Sequence, residues 1–149
     1  MNPRILIMGL PGSGKTTLAT KLAESFPAAV RLNADEVRAE ANDWDFSDEG
    51  RTRQANRMRD LADAAAPDLV IADFVCGTID QRDIFRPHLL IWMNTIKKGR
   101  YEDTNAAFRE PCICGIRIDS FDEIDLQGIV GKINEVVSSG QSNCVCEET

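Results

Sequence analysis

The sequence has no apolar run approaching the length that crosses a bilayer, which excludes a helical membrane anchor within these residues and a membrane partner is not expected. Its first residues, Met1-Asn2-Pro3-Arg4, lead almost directly into an apolar stretch. They lack the charged, apolar and small-residue zones of a secretory signal, so a cytoplasmic protein is expected. Basic charge is in deficit: 17 Lys and Arg against 24 Asp and Glu give a formal net charge of -7, which argues against long nonspecific contact with a nucleic acid backbone. Histidine occurs once, at His88. The five cysteines (Cys76, Cys112, Cys114, Cys144, Cys146) form no Cys-x-x-Cys pair, so a structural zinc site is not expected. There is no internal repeat, and low complexity is confined to the polar end of the chain.

What is present fits one soluble domain: 149 residues, 43% apolar and 28% charged. Short apolar runs alternate with helical patterns. Strands are predicted at 4–8, 29–33, 69–74, 89–93 and 113–118, and helices at 15–26, 35–42, 47–67, 79–85 and 122–137. Ser47 is placed as the cap of the third helix, Leu18, Leu22 and Phe26 as the stripe of the first, and Ile129, Ile133 and Val137 as that of the last. This alternation predicts an α/β fold with a mostly parallel sheet in three layers, whose ligands sit at the carboxyl ends of the strands. The polar, charged stretch 94–111 is too long for an ordinary connection and reads as a lid. The domain is placed at 1–138, with 139–149 as a polar, disordered tail.

Gly9-Leu10-Pro11-Gly12-Ser13-Gly14-Lys15-Thr16 satisfies every fixed position of G-x-x-x-x-G-K-[ST], and it stands between a strand and a helix as the mechanism requires. Glycines let the backbone turn around a phosphate, the helix adds its positive N-terminus, Lys15 reaches the β and γ phosphates, and Thr16 ligates magnesium. A P-loop nucleoside triphosphate hydrolase (kinase) fold using ATP and Mg2+ is therefore expected. The nucleotide residues would be Gly9, Pro11, Gly12, Ser13, Gly14, Lys15, Thr16 and Thr17.

Two carboxylates follow strands. Asp35 reads either as the group that accepts the proton of an alcohol acceptor, with Lys15 the second catalytic residue, or as a helix N-cap. Asp73 either completes an apolar run ending in aspartate that handles magnesium water, or caps the next turn. Arg38 and Arg51 flank a segment bearing Trp44 and Phe46, which could stack a nucleotide-like anion or simply sit in the core. In the lid, Lys97, Lys98, Arg100 and Arg109 are candidates to close over the transferring phosphates. Cys76 reads as a small lining residue rather than a nucleophile.

Four segments, in order, resemble the adenylylsulfate kinase family: the loop Gly9 to Thr17, Leu32-Asn33-Ala34-Asp35-Glu36-Val37-Arg38, Phe46-Ser47 with Arg51 five residues after the phenylalanine, and Phe74-Val75-Cys76. The resemblance implies transfer of phosphate from ATP to adenylyl sulfate, giving ADP and 3'-phosphoadenylyl sulfate. It implies acceptor contacts from Asp35, Arg38, Phe46, Arg51, Gln54, Val75 and Cys76. Gln54 stands where the family has asparagine, Gly77 where it has proline, and Asn33 where it has a first aspartate. These departures lie on the acceptor side and leave room for another hydroxyl, such as a nucleoside or a 5-hydroxymethylpyrimidine in DNA. Similar short proteins are encoded by bacteriophages. The partner implied is a small-molecule nucleotide, with nucleic acid only under that alternative; a homodimer is compatible with it, and a non-catalytic nucleotide-binding module is the remaining alternative.

Overall fold

The computed structural model describes residues 2–96, 108–111 and 115–140. Five strands, β1 (Arg4–Met8), β2 (Val30–Asn33), β3 (Val70–Asp73), β4 (Leu89–Met93) and β5 (Ile116–Ile118), form one sheet in the order β2-β3-β1-β4-β5. Every neighbouring pair is parallel. The helices are α1 (Lys15–Ser25), α2 (Ala34–Ala41), α3 (Asp48–Ala64), α4 (Ile79–Phe85) and α5 (Leu126–Ser139), with a 3-10 turn at Phe121–Glu123.

The sheet is covered on both faces, which is why its central strands read as unbroken apolar runs. Successive side chains of β1 alternate between two cores. Ile5 and Ile7 pack with Leu18, Leu22, Ile129 and Ile133 on the α1/α5 side. Leu6 and Met8 pack with Val37, Met58, Ala62 and Phe85 on the α2/α3/α4 side. The result is the three-layer α/β architecture expected from the alternation of strands and helices.

Local signals hold at most element ends. Ser47 caps α3 by accepting from the Gly50 amide at 3.2 Å. Thr78 caps α4 in a reciprocal box with Gln81. One open reading is narrowed and two expectations are corrected. The cap of α2 is Asn33, whose Oδ1 accepts from the Glu36 amide at 3.0 Å; Asp35 lies in the first turn, so it is not the cap. The last helix begins at Leu126, after the 3-10 turn, and extends to Ser139, one residue past the boundary placed at 138. Its buried stripe is Ile129, Ile133 and Val136, while Val137 is exposed. Two steps of four residues carry Val137 about 80° around the helix from Ile129, whereas a four and a three return almost to the same line. The tail residues 141–149, with Cys144 and Cys146, and also Cys112 and Cys114, lie outside the described residues.

The strand register brings the chemistry to one level. Asn33 of β2 and Ile7 of β1 both pair with Asp73 of β3, so the P-loop, the α2 N-terminus and the end of β3 all emerge together at the carboxyl edge. The opposite edge is closed by the buried Arg4, which donates to the Phe85 carbonyl at 3.1 Å and pairs with Asp63.

The α5 assignment can be checked directly. Ile133→Ala should cost roughly 2–5 kcal/mol of unfolding free energy, and Val137→Ala should stay within about 0.5 kcal/mol, measured by urea denaturation.

Candidate active site

The loop after β1 turns through left-handed glycines, Gly12 at φ 89° and Gly14 at φ 96°. At Gly14 the left-handed backbone requires glycine, and a β-carbon would also displace the exposed Phe121 ring that packs against it. Helix α1 starts at the next residue, and the amides of its first turn have no carbonyl partners within the helix. This is a cradle for an anion. Ser13 is buried beneath it, and Thr95 Oγ1 donates to the Ser13 carbonyl at 2.7 Å.

Lys15 Nζ donates to the Leu10 carbonyl at 3.0 Å, folding back over the loop. Burial lowers its pKa to about 8, against the opposing pull of the Asp73 and Asp35 carboxylates. Asp73, 2% exposed, accepts from Thr16 Oγ1 at 2.9 Å and from Asn33 Nδ2 at 2.9 Å, both on Oδ2. Its Oδ1 is buried without a hydrogen-bond partner, and the Arg31 guanidinium stands 3.7 Å away. Burial pushes the Asp73 carboxyl up from its ordinary value, and the Thr16 and Asn33 hydrogen bonds pull it back. Asp73 does not cap the following helix, since Thr78 does. A hydroxyl and a carboxylate side by side, with one carboxylate oxygen unsatisfied, fit the donor set of a magnesium ion and its water shell.

A cavity of about 760 Å³ opens from this point. The P-loop residues Pro11, Gly12, Gly14, Lys15, Thr16 and Thr17 form one end, and Asp35 projects at its side. The far wall contains Arg38, Phe46, Arg51, Gln54, Val75 and Cys76, so every acceptor-side residue singled out in the sequence lines the same space. Gly9 and Ser13 lie beneath the loop rather than on the cavity surface. Trp44 and Phe46 are not core residues: they are 50% and 48% exposed. Arg38 is 5% exposed, and its guanidinium lies over the Phe46 ring at 4.4 Å. Gln54 Nε2 donates to the Ala34 carbonyl at 3.0 Å, tying α3 to the start of α2. The Cys76 thiol is pushed up by burial, which suits a lining residue and not a nucleophile.

Several lining residues were not singled out in the sequence. Phe108 packs against Gly77 and stacks on Trp92, with ring centres 6.4 Å apart. It is kept there by Arg82, which donates to the Cys76 carbonyl at 3.1 Å and to the Arg109 carbonyl, and by the Arg109 amide, which donates to the Gly77 carbonyl at 2.6 Å. No local pattern around Phe108 reports this, because its neighbours come from β4 and from the turn after β3. A β-carbon at position 77 would come within 3.1 Å of the Phe108 ring, so glycine allows the ring this close approach. Phe121, 54% exposed and outside the cavity lining, packs against Gly14. Of the cations expected in a lid, Lys97, Lys98 and Arg100 lie outside the described residues.

Fold and loop together define a three-layer α/β protein of the P-loop kinase fold. A family model described as an AAA domain matches residues 5–87, more than half of the chain, and the chain belongs to that family. It is 37% identical over 84 residues to an adenylate kinase of Haloarcula marismortui, an alignment covering 56% of this chain and 38% of that protein. Among solved structures it is similar to the Mycobacterium tuberculosis APS kinase in complex with AMPPNP and APS, with TM-score 0.65 and 21% identity over 92% of this chain and 96% of that one. A gluconokinase from Sinorhizobium meliloti gives TM-score 0.62 and 15% identity over 91% and 94%. At these identities the structural likeness concerns the fold.

Lys15 carries a burial cost that its methionine counterpart would not. Lys15→Met should leave the melting temperature of the ligand-free protein at or above that of wild type. It should also abolish the upward shift that saturating Mg-ATP gives wild type, about 2.7 kcal/mol at a hundredfold excess over Kd, read by differential scanning calorimetry.

Proposed function

We propose that this protein is an ATP-dependent kinase that phosphorylates a hydroxyl on a small nucleotide-like acceptor, with adenylyl sulfate the best-fitting acceptor. The observation that carries this reading is the single cavity shared by Lys15, Thr16 and Asp35 at one end and by an arginine and aromatic wall at the other. Support comes also from the M. tuberculosis structure of similar fold, described as an APS kinase complex with AMPPNP and APS.

The chain's residues divide the work by position. The loop amides and the α1 N-terminus hold the triphosphate, and Lys15 leaves the Leu10 carbonyl to neutralise charge on its terminal phosphate. Thr16 and Asp73 would hold magnesium, which supplies neutralisation of the charge building on the leaving phosphate oxygens. Asn33 keeps the Asp73 carboxylate turned toward Thr16. Asp35, exposed in the cavity, accepts the proton of the acceptor hydroxyl as that oxygen bonds to the γ-phosphorus and the bond to the β-γ bridging oxygen breaks. ADP and the phosphorylated acceptor leave, and with adenylyl sulfate the product is 3'-phosphoadenylyl sulfate. Phe46, backed by Arg38, and Arg51 face the acceptor base and anion.

A second reading, another hydroxyl-bearing nucleoside or a 5-hydroxymethylpyrimidine in DNA, draws on the departures Gln54 and Gly77 in the cavity wall; the third departure, Asn33, lies instead with Thr16 and Asp73 at the phosphate end. A cytoplasmic setting, a homodimer and a role for Lys97, Lys98 or Arg100 over the phosphates belong to this proposal as well.

ADP release with ATP, magnesium and adenylyl sulfate should exceed release with hydroxymethylated DNA, free nucleosides or gluconate. Turnover stimulated only by DNA would replace adenylyl sulfate with the second reading, and no stimulation by any hydroxyl acceptor would reject the kinase. Asp35→Asn should lower kcat at least about 100-fold while ATP still binds, measured by coupled assay and calorimetry.

A further inference from the structure

Between α2 and α3 the 42–47 loop carries two large aromatic rings that belong to neither core, Trp44 at 50% and Phe46 at 48% exposure. Exposed rings held in one place are costly to order, and this loop is tied down by charges rather than by packing. The knot is Asp43. Its side chain, 14% exposed, accepts from Arg53 Nε at 3.1 Å and from Arg57 Nη2, both on α3. It also accepts from the Asp45 amide at 3.1 Å. Arg53 in turn donates to Asp45 Oδ2 at 2.8 Å, and Asp45 accepts from the Ser47 amide at 2.9 Å, which carries the constraint to the α3 cap. From the other side Arg38 Nη1 donates to the carbonyls of Asp43 at 2.9 Å and Asp45 at 3.2 Å while covering Phe46. The Arg53 and Arg57 hydrogen bonds hold the Asp43 carboxyl well below the usual carboxylate range.

Partly exposed ion pairs of this kind add little to global stability, so their effect lies in geometry. Both rings line the cavity. Rings present π faces, which stack on flat heterocycles, and beyond the single Trp44 indole N–H they offer no hydrogen bonds to a polyhydroxylated sugar acid.

We propose that Asp43 is a positioning residue for the acceptor: by gathering Arg53 and Arg57 it holds Trp44 and Phe46 as a preformed aromatic shelf for the purine or pyrimidine base of the acceptor. This deepens the reading of the cavity as the acceptor site and rests on it. Without the clamp the free loop samples other arrangements, and binding must order it each time, which weakens acceptor affinity and leaves the ATP end untouched.

The test has a binding arm and a turnover arm. The sequence has two tryptophans, Trp44 and Trp92, so Trp92→Phe leaves Trp44 as the sole tryptophan, excited selectively over Tyr101; if that variant folds poorly, the difference between wild type and Trp44→Phe gives the same signal. Emission is titrated with adenylyl sulfate, AMP and gluconate, with and without Asp43→Asn. The proposal expects a response to the base-bearing probes and none to gluconate, with Kd raised about tenfold by Asp43→Asn and partly restored by Asp43→Glu. In turnover, Asp43→Asn should raise the acceptor KM about tenfold while KM for ATP and the melting temperature stay unchanged. No Trp44 response, an equal response in Asp43→Asn, a response to gluconate of the same size, or a parallel rise in both KM values would each overturn it. If ADP release fails with every acceptor but the Trp44 signal behaves as expected, the kinase reading falls and the shelf stands.

Discussion

Asp73 is the point on which the site is built. It is a buried carboxylate at the end of a central strand, and a charge in that position survives only if its neighbours meet it. Thr16 meets it from the P-loop, Asn33 from the end of β2, and Lys15 and Arg31 contribute charge nearby. Those contacts place the start of α1 and the start of α2 at a set distance from one another. The P-loop and Asp35 then face a common space because both flank the same carboxylate. Parallel register supplies the scaffold: with Asn33, Asp73 and Ile7 paired, one edge of the sheet brings together the P-loop, Asp73 and the start of α2.

The far wall of the cavity depends on a different kind of support. Arg38 is nearly buried, yet it spends its hydrogen bonds on loop carbonyls and its flat face on Phe46. Phe108 is held through Arg82 and the turn after β3. Both arginines act as spacers that give shape to a wall, a use of the guanidinium that depends on its planarity and several donors as much as on its charge. Similar folds are described in other organisms as an APS kinase and a gluconokinase, so the fold by itself leaves the acceptor open.

Much of this could be read in the chain beforehand. The fold class followed from alternating apolar runs and helical patterns, because a sheet covered on both faces leaves a strong imprint on sequence. The P-loop was legible because its glycines are required one by one by backbone geometry. The positions lining the cavity, from Asp35 to Cys76, were legible through motif order. What escaped was set by contacts between distant segments. Asn33 and Asp35 are both good capping types two residues apart, and only the β2 register puts Asn33 at the cap. Val136 and Val137 are adjacent and identical, so hydrophobicity cannot choose between them. Trp44 and Phe46 could be read either as a stacking pair or as core, and what decides for exposure is a salt-bridged loop whose partners lie eight to fourteen residues away. Phe108 sits against Gly77 only because the chain returns across β4.

The two ends of the cavity come from different stretches of polypeptide. Phosphate-side groups arise from the turn after β1 and the tip of β3, while the opposite wall is drawn from the helix pair α2 and α3 and from the turn leading into α4. Few side chains serve both. Substitutions can therefore accumulate in the wall without touching the machinery that handles the triphosphate, and a lineage can trade one recipient molecule for another while its donor chemistry stays constant.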